Sequence, residues 1–449
     1  MVETETNKKS NAEELGNADI KKLLIGYSVP AMVAMIASSL YNVIDRIFIG
    51  QGVGPMAIAG LAVTLPLMNL AAAFGAMVGA GGSTLVSIKL GQRDEEGAGR
   101  VLGNVVILNL IIGISFMVIC LLFLNPILRI FGATDNTLPY ARDFMQIILL
   151  GNVVTHLYLG LNNILRASGS PRKAMNATLL SVGVNLVLAP IFIFVVGLGI
   201  KGAALATIMA QICALSMVVK HFVKGKLVLR FRKKHFNPQR QIVKSILSIG
   251  AAPFVMNACA CLVIIVVNRS LLKYGGDMAI GAYGIMSALG ILFAMLILGL
   301  AQGMQPIAGY NYGARNFTRV KEVFKYTVIY STVISVIAWL ICEIFPRQIA
   351  SLFTTEEALI KMAADGLMIY MAAFPLVGIG MVTGNFFQSI GKAGRAIFMS
   401  STRQMLYLIP AVLLLPYVFG LNGVWIAAPL SDALAAITAV ILLKRMKFE

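Results

Sequence analysis

Carboxylates are rare inside the long apolar runs of this chain, and Asp45 is the clearest case, within the run 23–49. A carboxylate at the centre of a bilayer costs about 2.5–3.5 kcal/mol on insertion scales, so one that is kept there reads as functional. Tyr41 stands one helical turn before it on the same face, with Asn42 beside it. At about 1.5 Å per residue, Asp45 falls in the outer third of its run. Asn185, midway along the run 174–197, and Thr207, about a turn into the run 202–222, reach a compatible depth. Pro190 frees a backbone carbonyl near them. A carboxylate among amide and hydroxyl oxygens is a hard, oxygen-rich setting that suits Na⁺, and the same carboxylate can instead carry a proton. The residue types leave both open.

A second polar set lies in the fourth run. Asn152, His156 and Asn163, spaced by four and seven, form one helical stripe. His156 is the only histidine in the interior of an apolar run and is a candidate proton carrier, against the commoner case of a hydrogen-bonded histidine between helices. Asp432, beside Ser431 in the last run, is accounted for by a helix-to-helix hydrogen bond. The five cysteines all lie in apolar runs, and Cys259 and Cys261, two apart, point to different faces, so they read as packing and not as a metal clip. No Gly-x-x-x-x-Gly-Lys-Ser/Thr loop occurs, which removes ATP as an energy source within this chain. Neither a His-Glu-x-x-His set nor an Asp-rich metal pair is present, which argues against a membrane protease or prenyl transferase.

The elements that must position these residues are helices in lipid. Of 449 residues, 58% are hydrophobic and 12% charged, and the mean hydropathy is +0.84. A soluble chain carries roughly 45–50% apolar and about 25% charged residues. A span needs about 20 apolar residues, and the runs number twelve: 23–49, 56–88, 101–124, 142–165, 174–197, 202–222, 245–272, 279–310, 323–345, 360–388, 397–419 and 423–443. The net charge of +18 is ordered along them. With the N-terminus inside, 29 of the 37 Lys and Arg fall in inner segments and six in outer loops, and Arg46 and Arg269 snorkel at outer span ends. That is the positive-inside pattern, and splitting the basic residues among short loops excludes a nucleic-acid face.

The chain also repeats itself. Pro30 pairs with Pro253 and Arg46 with Arg269 at an offset of 223; Met56-Ala57-Ile58 pairs with Met278-Ala279-Ile280, Gly91 and Arg93 with Gly313 and Arg315, and Asn163 and Gly169 with Asn385 and Gly391 at 222. A unit of six spans is even, so both copies begin on the inner side and are parallel repeats about an axis along the membrane normal. The expected fold is an all-α membrane protein of twelve transmembrane helices in two six-helix bundles related by pseudo-two-fold symmetry. The expected organisation is an N-terminal tail 1–22, an N-lobe 23–222, a basic linker 223–244, a C-lobe 245–443 and a C-terminal tail 444–449, with both termini cytoplasmic.

Four stretches resemble the signatures of one family. Leu40-Tyr-Asn-Val-Ile-Asp45-Arg-Ile-Phe-Ile-Gly50, Leu165-Arg-Ala-Ser-Gly169, Gln305-Pro-Ile-Ala-Gly-Tyr-Asn-Tyr-Gly313 and Gly423-Val-Trp-Ile-Ala are similar, in order and spacing, to the multidrug and toxic compound extrusion (MATE) family. The resemblance runs from about residue 20 to 445. It implies a secondary antiporter that expels amphiphilic, often cationic compounds against Na⁺ or H⁺ through a V-shaped cavity. It also implies an N-lobe cation site at Asp45, Asn185 and Thr207, and it matches Asn162 to the family's asparagine before the Leu-Arg pair. One departure is plain: the family pattern has a second aspartate before the fifth-helix proline, where this chain has Ala189. The second lobe offers no substitute, since Asn268 holds the repeat position of Asp45.

The sequence therefore predicts a multidrug exporter working by alternating access, with Asp45, Asn185 and Thr207 coupling the ion and Tyr41, Asn152, His156, Asn162 and Asn163 lining the cavity. A flippase for a lipid-linked saccharide or another endogenous amphiphile is the alternative, disfavoured because the embedded N-lobe charge is acidic. No catalytic residue, no cofactor beyond the coupling ion and no nucleic-acid partner are expected. The chain is expected to be a monomer in a bacterial cytoplasmic (inner) membrane.

Overall fold

The computed structural model describes residues 13–224 and 229–446. Residues 1–12 of the expected N-terminal tail, 225–228 of the linker and 447–449 of the C-terminal tail lie outside the described residues. Among the described residues the structure is helical, with no strand.

Among the described residues, nine helices are long and apolar enough to cross a membrane, and two pairs bent by 53° bring the number to eleven. The twelfth comes from the segment Arg240–Gly313, 74 residues of nominally continuous helix. Straight, it would run about 110 Å, more than three times the roughly 30 Å hydrocarbon core. It is broken at Gly276, where φ is 67° and ψ is −165°. The spans are thus α1 (Ile20–Gly52), α2 (Pro55–Gly91), α3 (Glu95–Leu122), α4 (Leu138–Leu150 with Asn152–Ala167), α5 (Pro171–Val195), α6 (Ile200–Lys224), α7 (240–275), α8 (277–313), α9 (Phe317–Ile344), α10 (Glu357–Met371 with Phe374–Ser389), α11 (Ala393–Phe419) and α12 (Leu421–Lys444). Large apolar side chains lie on the outer surface of these helices, such as Leu122, Val195 and Leu414. A water-facing surface would not carry so many, and a lipid-facing one does.

Local chemistry explains the helix ends. Pro55 opens α2, where a missing N–H costs nothing. Asp94 caps α3 by accepting the Gly97 N–H at 2.7 Å, and Glu95 and Glu96 follow in the first turn, where the helix dipole favours them. Pro190 cannot donate to the helix ladder, and α5 continues past it as a π-helical turn over Ile191–Val195.

The duplication is visible in the backbone. Left-handed φ angles recur at Gly54 and Gly276, Arg93 and Arg315, and Gly169 and Gly391, each pair 222 apart, and at Gly199 and Gly420, 221 apart. Arg93 and Arg315, at φ 60° and 57°, are the only two non-glycine residues in that region among those described, and they close equivalent helices. The two spans bent by 53°, α4 and α10, also occupy equivalent places.

The chain divides into two compact units. The first comprises Met1–Asp19, Val33–Phe254 and Gly309–Asn316; the second comprises Ile20–Met32, Val255–Ala308 and Phe317–Glu449. In the first unit the ends of α2 and α8 cross backbone on backbone. A methyl on Gly91 would overlap the Tyr310 carbonyl, and one on Gly313 would overlap the Ile88 carbonyl. Ile88 and Tyr310 are themselves 222 apart, so the crossing is reciprocal. The core of this unit is two apolar clusters, one around Val86, Val101, Leu161 and Phe222, the other around Ile49, Leu128, Phe144 and Ala189. The described part of the basic linker is docked onto α3: Lys234 pairs with Glu96 at 2.8 Å, and Asn104 accepts the Gln239 N–H at 2.9 Å. The second unit packs α8 against the start of α1, with the Ser28 hydroxyl donating to the Leu300 carbonyl at 3.2 Å.

Candidate functional site

The first unit brings three of the sequence-expected residues together. Tyr41 on α1 and Thr207 on α6 share a hydrogen bond at 3.0 Å. Asn185 on α5 donates to Thr207 Oγ1 at 3.1 Å and reaches Tyr41 Oη at 3.4 Å. Thr207 also returns a bond to the Ala203 carbonyl of its own helix, at 3.1 Å. Three helices are thereby tied by one hydroxyl–amide triangle.

Asp45 stands one turn beyond Tyr41 and outside this triangle. Its side chain is buried, 8% exposed, and its Oδ1 has no hydrogen-bond partner among the described residues. Arg46 follows directly in sequence but is exposed and forms no ion pair with it among those residues. A buried acceptor left unpaired costs about 1–3 kcal/mol, more when charged. Asp45 is thus an acid that lacks the partners its burial demands, beside a set of neutral oxygen and nitrogen groups. No group of three or more His, Cys, Asp or Glu is clustered to hold a metal among the described residues.

The fourth-span residues are placed elsewhere. Asn152 donates to the Gly113 carbonyl of α3 at 3.4 Å. His156 is fully buried, its Nε2 3.0 Å from the Ala71 carbonyl of α2, with Gly75 leaving room for the ring. Asn163 packs on Gly79 of α2, whereas Asn162 turns to α5 and donates to Thr178 Oγ1 at 3.3 Å. These four tie α4 to its neighbours and are not gathered with Tyr41, Asn185 and Thr207. Ala189 is wholly buried in the apolar cluster that holds Ile49, Ile193 and Ala203.

Asp432 makes the expected helix-to-helix bond, with a partner the sequence did not indicate: Arg403 lies within α11 and its Nε donates to Asp432 Oδ1, while the Ser431 hydroxyl donates within its own helix, to the Ala428 carbonyl. Sequence spacing missed the pair because its partners are on different helices. An arginine six residues inside an apolar run was the available signal.

A pocket of about 550 Å³ in the first unit is lined by Glu13, Asn17, Arg93, Tyr310 and Asn316. It sits among helix ends and loops, away from the Tyr41 triangle.

A bundle of twelve apolar spans built from a six-span duplication, with polar centres buried at mid-helix, defines a multi-pass membrane transporter. The comparisons narrow the class. The MatE family model matches twice, over residues 30–191 and 253–413, the two matches starting 223 and ending 222 residues apart. The chain is 30% identical over 430 residues to the multidrug export protein MepA of Staphylococcus haemolyticus, covering 96% of this chain and 94% of that one. It is 29% identical to the MepA of Staphylococcus aureus strain N315 over 421 residues, covering 94% and 93%. Among solved structures, a multidrug resistance MATE family transporter of the MOP superfamily in its outward-facing conformation aligns with a TM-score of 0.92 at 26% identity, over 97% of both chains. This chain belongs to the MatE family and is a multidrug efflux transporter of that kind.

Proposed function

We propose that the chain exports amphiphilic cations in exchange for a proton, by alternating access, from a bacterial cytoplasmic membrane with both its termini inside. The observation that carries the reading is Asp45: a buried carboxylate whose Oδ1 has no partner, one turn from the Tyr41–Asn185–Thr207 triangle. An unpaired acid can neutralise itself by taking a proton, or pair with a cation that reaches it. Mutually exclusive occupancy of one acid by a proton or by a cationic substrate is enough for antiport. The proton is favoured over Na⁺ because the neighbouring hydroxyls already bond one another, and Ala189 supplies no second carboxylate.

No bond-making step is proposed, and no cofactor besides the ion. The staphylococcal relatives named as multidrug exporters support the substrate class. The test is dye efflux from proteoliposomes with Na⁺ and pH gradients imposed separately. Uphill movement of a cationic dye under a pH gradient alone is expected. Movement under a Na⁺ gradient alone would replace the proton with Na⁺, and movement under neither would refute coupling.

A further inference from the structure

The second unit holds a polar centre with no counterpart in the first. Arg403 lies in the π-helical stretch Thr402–Leu408 of α11 and donates through Nε to Asp432 on α12. Tyr283 on α8 and Tyr370 on α10 meet edge to face with ring centroids 6.1 Å apart, and both rings lie within electrostatic range of the guanidinium. At the repeat offset, 222 as far as α11 and 221 from Gly420 onward, these four positions correspond to Leu61, Ile148, Ser181 and Gln211. Neither the charges nor the rings are shared by the two repeats, so the centre is specific to the C-terminal half.

The ion pair is lopsided. The Asp432 side chain is 4% exposed and that of Arg403 is 36% exposed. A guanidinium set among four helices yet a third accessible faces a space inside the bundle, because the same exposure to hydrocarbon would be prohibitive. The pair is therefore a dipole with its positive end toward that space. Arginine offers five N–H donors in a planar fork. Among the described residues Arg403 spends Nε on Asp432, which leaves both terminal nitrogens to present parallel donors. Two parallel donors match the two oxygens of a carboxylate.

Charge balance narrows the ligand further. Arg403 and Asp432 together are neutral, so a bare anion would leave uncompensated negative charge in a medium of low dielectric. A ligand bringing its own ammonium group would not. The two tyrosines add aromatic faces, which suit an apolar frame bearing a cation.

We propose that Arg403, backed by Asp432 and flanked by Tyr283 and Tyr370, binds the carboxylate of amphoteric amphiphiles, compounds with an ammonium and a carboxylate on one apolar frame. The proposal concerns the site and rests on the export reading above. Arg403 makes the ligand contact; Asp432 is a positioning residue that fixes which edge of the fork is free.

The test uses a fluorescent amino acid-type amphiphile and its methyl ester, which keeps the frame and the ammonium but lacks the carboxylate. The detergent-solubilised wild-type chain is expected to bind the acid at least tenfold more tightly than the ester. In proteoliposomes, Arg403→Gln combined with Asp432→Asn removes both charges at once and leaves no buried ion unpaired. It is expected to lose export of the acid tenfold or more and of the ester less than twofold. Arg403→Lys keeps the charge but not the fork, and is expected to weaken acid binding severalfold with ester binding unchanged. Equal binding of acid and ester by the wild type overturns the proposal, as does a double variant that keeps the wild-type export ratio or loses both probes alike. If the wild type binds with the expected preference yet exports neither probe, the export reading fails while the binding site stands.

Discussion

Replacing Asp45 by Asn separates the cost of the acid from its use. The side chain is 8% exposed with one oxygen unpaired. Asn is nearly isosteric and uncharged, so the about 2.5–3.5 kcal/mol charged by lipid for an embedded carboxylate is removed. Yield and thermal midpoint in detergent are therefore expected not to fall. Transport is expected to change completely. If one ion is exchanged per cycle, a tenfold ion gradient supplies about 1.4 kcal/mol and sustains at most about a tenfold substrate ratio across the membrane. With no titratable group to couple them, the ratio in the variant falls to about one, and any remaining flux is downhill and blind to the imposed gradient. The assay is dye accumulation in proteoliposomes of matched protein content under an imposed pH gradient. A variant that still builds a gradient-dependent ratio above one refutes Asp45 as the coupling group. A variant that fails to fold refutes the claim that the acid is carried at a cost.

Other expectations test the frame around it. Tyr41→Phe removes the hydroxyl shared by Asn185 and Thr207; a hydrogen bond nets about 1 kcal/mol, so the driving-ion concentration for half-maximal efflux is expected to rise about fivefold. Gly91→Leu and Gly313→Leu each push a side chain into a facing backbone carbonyl; overpacking costs about 1–3 kcal/mol, and because the crossing is reciprocal, thermal unfolding is expected to show similar losses for the two. Asp94 is held below the usual carboxylate range first by the Lys89 hydrogen bond and then by the Gly97 N–H. A depressed folded value means its contribution is present above about pH 4, the unfolded value, and is lost as pH falls through the folded one. Asp94→Ala is thus expected to cost about 1 kcal/mol at neutral pH, as a lost helix cap does, with the gap to wild type narrowing in thermal unfolding as pH falls below about 4.

The spans, their number and the repeat were legible because each rests on a one-dimensional signal: apolar length, charge alternation and a fixed offset. The positive φ angles at Gly54 and Gly276 or Arg93 and Arg315 carry the same offset into the backbone. Depth placed Asp45, Asn185 and Thr207 at one level, with Tyr41 on the face of Asp45; the structure bonds Asn185 and Thr207 to Tyr41 and leaves Asp45 Oδ1 outside that network. Depth cannot say which way a helix is turned. The stripe Asn152, His156 and Asn163 therefore read as cavity-lining, although its residues bond or pack against α2 and α3. The partner of Asp432 was not legible for a related reason: Arg403 lies on another helix, and only the fold shows that the two come within reach.

The two embedded acids have opposite fates, and that difference bears on the exchange. Asp432 is bonded to Arg403 in every respect that would make it useful to an ion: its charge is neutralised and its Oδ1 is occupied. Protonating it would leave Arg403 buried without its counter-charge, an expensive state. Asp45 has no such partner among the described residues, so protonation relieves it. A second acid at Ala189 would have to sit in the apolar cluster of Ile49, Ile193 and Ala203, and the methyl group there is what that cluster accommodates. One free acid allows one exchangeable charge per cycle on the proposed reading. Trading one proton for one monovalent cation then moves no net charge, so the chemical gradient of the ion, and not the membrane potential, sets the ceiling on export.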